Sequence, residues 1–173
     1  MLIAMAGLPG TGKSTLARLL ADACDGVILD KDAIRAALFP ASLVEYSTRQ
    51  DDFCGSIMFQ VAAYILHDDP RRQVILDGRT FSHRYQVAAL EQLAAELHVP
   101  LKIIECVCSD ESARQRLEGT ASAGEKHLAA NRNYALYLKI KEHFEPIRQP
   151  KLVVNTDNDL AQSLAACLAY VFA

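Results

Sequence analysis

The feature that most constrains this chain is a glycine-rich segment, Gly7 to Ser14, with the sequence GLPGTGKS. It fits the pattern G-x-x-x-x-G-K-[ST] at every fixed position. Glycines in such a segment let the backbone curl, so that successive N–H groups point inward at phosphate oxygens. An apolar stretch, Leu2 to Ala6, precedes the segment and a helical pattern follows it, which is the context that this kind of loop requires. The sequence therefore predicts a loop that holds the phosphates of a nucleotide.

The positions of this loop have separate predicted roles. We expect Lys13 to reach the outer phosphates and the Ser14 hydroxyl to ligate Mg²⁺. The alternative is an ordinary strand-to-helix turn that binds nothing. The residues predicted to bind the nucleotide, which we take to be ATP, are Gly7, Pro9, Gly10, Thr11, Gly12, Lys13, Ser14 and Thr15.

Five short apolar segments recur along the chain with helical patterns between them. Alternating strands and helices predict an α/β fold with a parallel sheet. Because the segments are rich in Val, Ile and Leu and show little polar alternation, we expect helices on both faces of the sheet, hence three layers. The chain length of 173 residues is that of a single domain, predicted over 1–173. The predicted strands are Leu2 to Ala6, Gly26 to Asp30, Gln73 to Asp77, Leu101 to Val107 and Lys151 to Asn155.

Several polar residues give predicted helix starts. Thr48 to Asp51 resembles a capping box ahead of a helix that reaches about His67. Ser82 is predicted to cap the next long helix, and Asp157 or Asn158 to cap the last one.

Composition excludes some classes of partner. The formal net charge of -3 gives no global cationic field for a long polyanionic duplex, so nucleic acid is possible but not favoured. Five cysteines, an odd number in a chain of this length, indicate a reducing compartment. No apolar stretch is long enough to cross a bilayer. We therefore expect a cytoplasmic protein without a membrane partner.

The end of the third apolar segment indicates whether the chain is built to hydrolyse a nucleotide. It ends Ile75-Leu76-Asp77-Gly78, so the aspartate predicted to associate with Mg²⁺ has no glutamate beside it to activate a water. The chain also lacks the N-K-x-D motif that reads guanine. These absences make a GTPase switch or a mechanical ATPase the minority interpretation.

Evidence for transfer lies at the end of the second predicted strand. Strand carboxyl ends in open parallel sheets face the ligand crevice, which places Asp30 and Asp32 near the terminal phosphate. Asp32 could accept the proton of an incoming hydroxyl, and Arg35, one helical turn onward, could clamp an anionic group of the acceptor. Two alternatives remain open: Asp32 as a helix N-cap, and Asp30 as the base if the strand boundary is shifted.

The segment Gly7 to Thr15, together with Asp30-x-Asp32-x-x-Arg35 and the Asp77 segment, resembles the P-loop kinase superfamily. Its members include the AAA_33-type proteins, zeta-type toxins, polynucleotide kinases, adenylylsulfate kinases and chloramphenicol phosphotransferase. The resemblance implies a nucleoside-kinase-like strand order of 2-3-1-4-5 and a small lid. In that superfamily the aspartate three residues before the arginine is the general base, and the arginine holds the acceptor. By position these would be Asp32 and Arg35.

The resemblance extends to the segment after the third strand. In similar kinases this segment helps to bind the acceptor or the metal. Asp77 could hold Mg²⁺ through a water, and Arg79, Thr80 or Arg84 could touch the substrate. For Arg84 the alternative is a solvated residue of a first helical turn.

The segment that begins at Asp110 looks like the lid entry of these kinases, and the lid is expected around 114–132. Arg114 or Arg116 is predicted to close over the phosphates, with Arg132 as a second candidate beyond the loose GTASAG stretch at 119–124. The alternative for each arginine is a solvated helix surface. Thr156 follows the fifth strand, where related kinases pass the chain beside adenine.

These residues predict an ATP-dependent phosphotransferase that moves the γ-phosphoryl group to a hydroxyl of a small molecule or a nucleotide. The acceptor is expected to be selected by residues within 32–52 and 78–84. One alternative is a polynucleotide 5'-hydroxyl kinase, which needs a basic groove. Another is a nucleotide-binding regulator, or an ATPase without a phosphoryl acceptor.

Overall fold

Parallel strands form a single sheet in the computed structural model, which describes residues 1–45, 47–122 and 133–173, the side chains of 120–122 excepted. Within that part of the chain the strands are β1 (Leu2–Ala6), β2 (Val27–Asp30), β3 (Val74–Asp77), β4 (Leu101–Val107) and β5 (Lys151–Asn155). They lie in the order β2-β3-β1-β4-β5. The predicted α/β class and strand order are confirmed, with β2 and β3 each beginning one residue later than predicted.

Helices connect the strands. They are α1 (Lys13–Cys24), α2 (Lys31–Leu38), α3 (Thr48–Asp68), α4 (Arg84–Glu96), α5 (Asp110–Ser122), α6 (Tyr134–Glu142) and α7 (Leu160–Val171), with a short 3-10 turn at Ala41–Leu43. None of these helices is long and apolar enough to cross a membrane.

The core lies on both faces of the sheet because every side chain of β1 is buried. Leu2, Ala4 and Ala6 pack against α3 and α4 through a cluster that includes Met58 and Leu90. The side chains on the other face of β1 join a second cluster with α1 and α7. This is the three-layer arrangement that continuous apolar strands predict.

Helices α5 and α6 form a separate small unit around Ala113, Leu117 and Tyr137. The Tyr137 hydroxyl donates to an Asp110 carboxylate oxygen at 2.6 Å, which ties α6 to the first turn of α5. Because α5 continues to Ser122, the first part of the stretch expected to be loose is helical. The rest of the predicted lid, Arg132 included, lies outside the described residues.

Candidate active site

The glycine-rich loop leaves β1 through a conformation that requires glycine. Gly7 has a φ of 125°, and a Cβ there would collide with the Cys106 carbonyl oxygen of β4. The Gly7 N–H donates to the Thr80 carbonyl oxygen at 3.0 Å, so the loop after β3 supports the glycine-rich loop from its other side. Gly12 forms the N-cap of α1. The loop therefore sits at the carboxyl end of the sheet, between β3 and β4, as predicted for a phosphate-binding loop.

Lys13 folds back over this loop. Its ammonium donates to the carbonyl oxygens of Gly7 at 2.8 Å and Leu8 at 2.7 Å, and the side chain is buried. The Thr11 hydroxyl tightens the turn by donating to the Leu8 carbonyl oxygen at 2.8 Å. Ser14 is half-buried and Thr15 exposed on the first turn of α1. The loop thus has a cation fixed at its centre and a hydroxyl at the helix N-terminus.

Asp77 ends the neighbouring strand as a buried carboxylate. It pairs in register with Asp30 of β2. Its Oδ1 atom is buried, and no described group donates a hydrogen bond to it. Burial raises the pKa of Cys106 on β4 to about 12, with Lys13 opposing and Asp77 adding to the rise, so these charges lie near that thiol. An unsatisfied carboxylate oxygen beside the loop has the chemistry expected of a ligand to Mg²⁺ or to its water.

Asp30, not Asp32, caps α2. The Asp30 side chain accepts a hydrogen bond from the Asp32 N–H at 2.8 Å. The alternative interpretation of Asp32 as the N-cap is therefore wrong. Burial raises the pKa of Asp30 above its ordinary value, and the charges of Asp77 and Asp32 add to that rise. Several carboxylates thus crowd the carboxyl ends of β2 and β3.

Asp32 lies in the first turn of α2 and binds Arg35 of the same helix. The distance from Asp32 Oδ1 to Arg35 Nη1 is 2.6 Å, and both side chains are buried. Lys31 Nζ lies 3.4 Å from the same carboxylate oxygen and 2.8 Å from Asp51 of α3, which also pairs with Arg35. Burial lowers the pKa of Lys31, while Asp32 opposes the change. The predicted pair is therefore assembled, and α3 holds it in place.

Arg79, in the loop after β3, is the second buried arginine of this region. Its guanidinium pairs with Asp52 of α3 and fills a notch at Gly55, where a Cβ would collide with it. The Tyr85 hydroxyl donates to Asp52 at 3.0 Å. Phe81, fully buried with a φ of 52°, fixes the course of the loop beneath Arg79.

The other residues predicted to bind substrate after β3, Thr80 and Arg84, have different partners from this arginine. The Thr80 hydroxyl donates to Ser82 at 3.1 Å, while the Thr80 carbonyl supports the glycine-rich loop. Arg84 is exposed at the start of α4, where its backbone N–H donates to a Glu145 carboxylate oxygen at 2.6 Å.

Arg114 and Arg116, the two described arginines of the predicted lid, occupy different places. Arg116 donates to the Thr156 hydroxyl and carbonyl oxygens, both at 2.9 Å, and lies 3.4 Å from the Gly10 carbonyl oxygen. Thr156 itself donates to the Thr11 carbonyl oxygen at 3.0 Å. Arg114 is exposed and pairs with Glu111 on the outside of α5 at 3.1 Å. The glycine-rich loop, α5 and the turn after β5 therefore meet at Arg116.

Sequence reasoning missed the residues that hold the arginines in place. Lys31, Asp51, Asp52 and Tyr85 were not candidates, although the segment containing both aspartates was expected to help select the acceptor. Two adjacent acidic residues near a helix start are also typical of a solvated first turn, so their type gave no signal. Their role is visible only once α3 lies over α2 and the loop after β3.

The chain resembles known proteins in both sequence and structure. A family model described as an AAA domain, AAA_33, matches residues 2–147. Among curated proteins, no sequence matches the chain significantly. A candidate kinase from Chloroflexus aurantiacus is similar in structure, with a TM-score of 0.77, 23% identity, and coverage of 98% of this chain and 97% of that one.

Two further solved structures share the fold. The APS kinase CysC of Mycobacterium tuberculosis, solved with AMPPNP and APS, has a TM-score of 0.72 and 17% identity, and covers 99% of this chain and 97% of its own. Kti12 of Chaetomium thermophilum, solved with ADP-AlF3, has a TM-score of 0.67 and 16% identity, with 99% of each chain covered. At these identities the structures show a shared fold, while the family model spans most of the sequence. The chain therefore belongs to the AAA_33 family.

Proposed function

We propose that this chain is an ATP-dependent kinase that transfers the γ-phosphoryl group of ATP to a hydroxyl of a small molecule or a nucleotide. The observation that carries the proposal is the buried Asp32–Arg35 pair at 2.6 Å. It lies at the carboxyl end of the sheet, the same edge as the glycine-rich loop, with β3 between them. A carboxylate with a fixed orientation beside a phosphate-binding loop is the arrangement that a transfer to an alcohol needs.

The glycine-rich loop and Lys13 form the donor side of the proposed site. Loop N–H groups bind the phosphates, and the Lys13 ammonium, now paired with loop carbonyls, can exchange those partners for phosphate oxygens. The Ser14 hydroxyl and the Asp77 carboxylate would hold Mg²⁺, which fits the unsatisfied Oδ1 of Asp77. When bound, Mg²⁺ neutralises charge on the transferring phosphates.

Asp32 acts on the acceptor side. It takes the proton of the acceptor hydroxyl while a bond forms between that oxygen and the γ-phosphorus. The bond from the γ-phosphorus to the bridging oxygen breaks at the same time, and ADP leaves with its electron pair. Arg35 and Lys31 keep the carboxylate in position. Arg116 lies close enough to the glycine-rich loop to stabilise charge on the phosphates.

Acceptor-dependent transfer from radiolabelled ATP tests the proposal. The purified chain, ATP and Mg²⁺ are incubated with panels of sugars, nucleosides, antibiotics and 5'-hydroxyl oligonucleotides, and labelled product is separated from phosphate. We expect label on an acceptor and ADP release that depends on it. Equal ADP release with every panel, without labelled product, would instead identify a regulator or an ATPase. Label on oligonucleotides alone, with strong salt sensitivity, would identify a polynucleotide kinase.

A further inference from the structure

The aspartates of α3 are more exposed than the cations they bind. The side chains of Asp51 and Asp52 are 38% and 39% exposed. Those of Lys31, Arg35 and Arg79 are 7%, 3% and 7% exposed. A molecule that approaches this region from solvent therefore meets carboxylate oxygens first, with the cations behind them.

Asp51 keeps unused capacity to accept hydrogen bonds. Its Oδ1 accepts from Lys31 and pairs with Arg35. Among the described groups, none donates to its Oδ2. A carboxylate offers about four lone-pair sites, so this residue can accept further hydrogen bonds from a ligand.

Asp52 is similar on the other side of the region. Its Oδ1 pairs with Arg79, and in the described structure its Oδ2 accepts only from the Tyr85 hydroxyl, at 3.0 Å. Gln86 adds a third acceptor: its amide donates to the Tyr85 hydroxyl at 3.2 Å, while its Oε1 is buried and receives no hydrogen bond from a described group. The buried Nε of Arg79 is in turn a donor that has no acceptor among the described groups. The open positions on the more exposed side chains, Asp51 and Asp52, are therefore acceptors that need donors.

The charges of the region also favour a ligand that donates hydrogen bonds. Its buried or half-buried carboxylates outnumber its four buried cations, Lys13, Lys31, Arg35 and Arg79, and are Asp30, Asp32, Asp51, Asp52 and Asp77. Bound ATP would still add net negative charge after Mg²⁺ has neutralised part of it. A phosphate, sulfate or carboxylate on the acceptor would be repelled by these groups, whereas hydroxyl and ammonium groups would be attracted.

Resting on the kinase function proposed above, we infer that the phosphoryl acceptor is a polyhydroxy compound without an anionic group, either uncharged or bearing amines. Its hydroxyl or ammonium groups donate to Asp51 and Asp52, while the reacting hydroxyl faces Asp32. The arginines orient the carboxylates and do not clamp an anion, in contrast to the role expected for Arg35 from sequence.

Acceptors matched in carbon skeleton but different in charge test the inference. Hexose, pentose and nucleoside sets each include a neutral member and an acid or phosphorylated member, and the hexose set adds an amino sugar. We expect kcat/KM for the best neutral or amino acceptor to exceed that of its anionic counterpart by about tenfold or more. Preferred transfer to anionic members would overturn the inference but leave the proposed kinase function intact. No transfer to any member, nor to the antibiotics and oligonucleotides of the wider panel, despite nucleotide binding, would overturn both.

Variants locate the preference on α3. Asp52→Asn and Tyr85→Phe are assayed with the best acceptor, and Tyr64→Phe, at an exposed position farther along α3, is the matched control. We expect Asp52→Asn to raise the acceptor KM about tenfold and to reduce discrimination against the anionic member, with unchanged affinity for AMPPNP. Tyr85→Phe removes one donor to Asp52 without a change in charge, so it should change KM less. Unchanged KM and discrimination in both variants would contradict a role for Asp52.

Discussion

Asp51 and Asp52 are consecutive residues of α3, yet they bind two different buried arginines, which follow two different strands of the sheet. Asp51 pairs with Arg35, which follows β2, and Asp52 pairs with Arg79, which follows β3. One turn of α3 therefore fixes the position of two segments relative to each other. The general base proposed here depends on that turn, because Arg35 also binds Asp32.

Gly55→Ala should destabilise the protein. Alanine in place of glycine within a helix ordinarily stabilises by about 0.5–1 kcal/mol. A Cβ at Gly55 would collide with the end of the Arg79 side chain, which must then move and loosen its pair with Asp52, so that gain should be reversed to a net loss of about 1 kcal/mol. Urea unfolding monitored by circular dichroism measures the change.

Gly119→Ala is the matched control for that substitution. Gly119 lies in α5, and nothing lies within 4 Å of a Cβ built there. We expect this variant to be as stable as the original chain or more so. If both variants were stabilised alike, the close approach of Arg79 to α3 would be wrong.

Asp32→Asn should abolish transfer and leave nucleotide binding nearly intact. The amide keeps the size of the side chain but cannot accept the hydroxyl proton, so kcat should fall by about 10²–10⁴-fold. Titration with a fluorescent ATP analogue, alongside the transfer assay, separates the two effects. The control is Asp68→Asn at the exposed end of α3. Full transfer activity in Asp32→Asn would remove the assignment of the general base.

Lys13→Ala should weaken both nucleotide binding and turnover. The ammonium lies at the centre of the glycine-rich loop, and the loss of a charge-assisted contact to phosphate costs about 1.5–3 kcal/mol. We expect the Kd for ATP to rise about tenfold or more, measured by calorimetry. An unchanged Kd would mean that the nucleotide binds elsewhere.

Much of the fold follows from local sequence pattern. The five predicted strands agree with the structure to within one residue, because continuous apolar runs between turn signals have few other stable placements. Helix starts were less accurate. Ser47 rather than Thr48 caps α3, and Asp159 rather than Asp157 or Asn158 caps α7.

The cap errors have a physical cause. Neighbouring polar residues compete for the N–H groups of the first helical turn, which have no partner within the helix. Tertiary contacts decide which of these residues is available to cap the helix. Asp157, for example, accepts a hydrogen bond from the Ser109 N–H at 2.7 Å instead of capping α7. Ser82 is buried and provides no cap at α4, whose first N–H groups include one bound by Glu145. Such long-range partners leave no local signal.

The candidate site likewise combines residues that a local pattern predicts with residues whose role depends on tertiary packing. The glycine-rich loop and the spacing of Asp32 and Arg35 are local patterns, so they were readable from sequence. Asp51 and Asp52 were not, because their importance depends on helix α3 packing over segments far away in the chain. The sequence also could not decide which of the two arginines on α5 lies nearer the glycine-rich loop, because both belong to the same predicted helix.

Arg116→Ala should impair the proposed transfer reaction more than Arg114→Ala. Arg116 joins α5 to the Thr156 carbonyl and lies near Gly10 of the loop, whereas Arg114 forms a surface pair with Glu111. Removal of charge-assisted bonds worth about 1.5–3 kcal/mol predicts a loss of about 10- to 100-fold in kcat/KM for ATP. For Arg114→Ala we expect less than a threefold change, since exposed pairs contribute little. Steady-state kinetics with varied ATP decides between them, and the reverse ranking would contradict the geometry.

Asp30→Asn should stabilise the protein at neutral pH. Burial and the charges of Asp77 and Asp32 raise the pKa of Asp30 in the folded state, so the folded chain binds its proton more readily than the unfolded chain does. The ionised carboxylate therefore costs stability above the raised pKa, and that cost disappears as the pH falls through the raised value towards the ordinary value. Asparagine can still cap α2, because its side-chain oxygen accepts the same hydrogen bond.

The measurement is urea unfolding of both proteins from pH 7 down to pH 4. We expect Asp30→Asn to be the more stable protein at pH 7 and its advantage to shrink on acidification, because the original carboxyl becomes protonated. Asp159→Asn, the same replacement at the exposed N-cap of α7, is the control for loss of a capping charge. A variant that is less stable than the original at pH 7, or an advantage that grows in acid, would show that burial and the neighbouring carboxylates do not raise the pKa of Asp30. The crowding of charge on which the preference for a non-anionic acceptor depends would then be weaker than the geometry indicates.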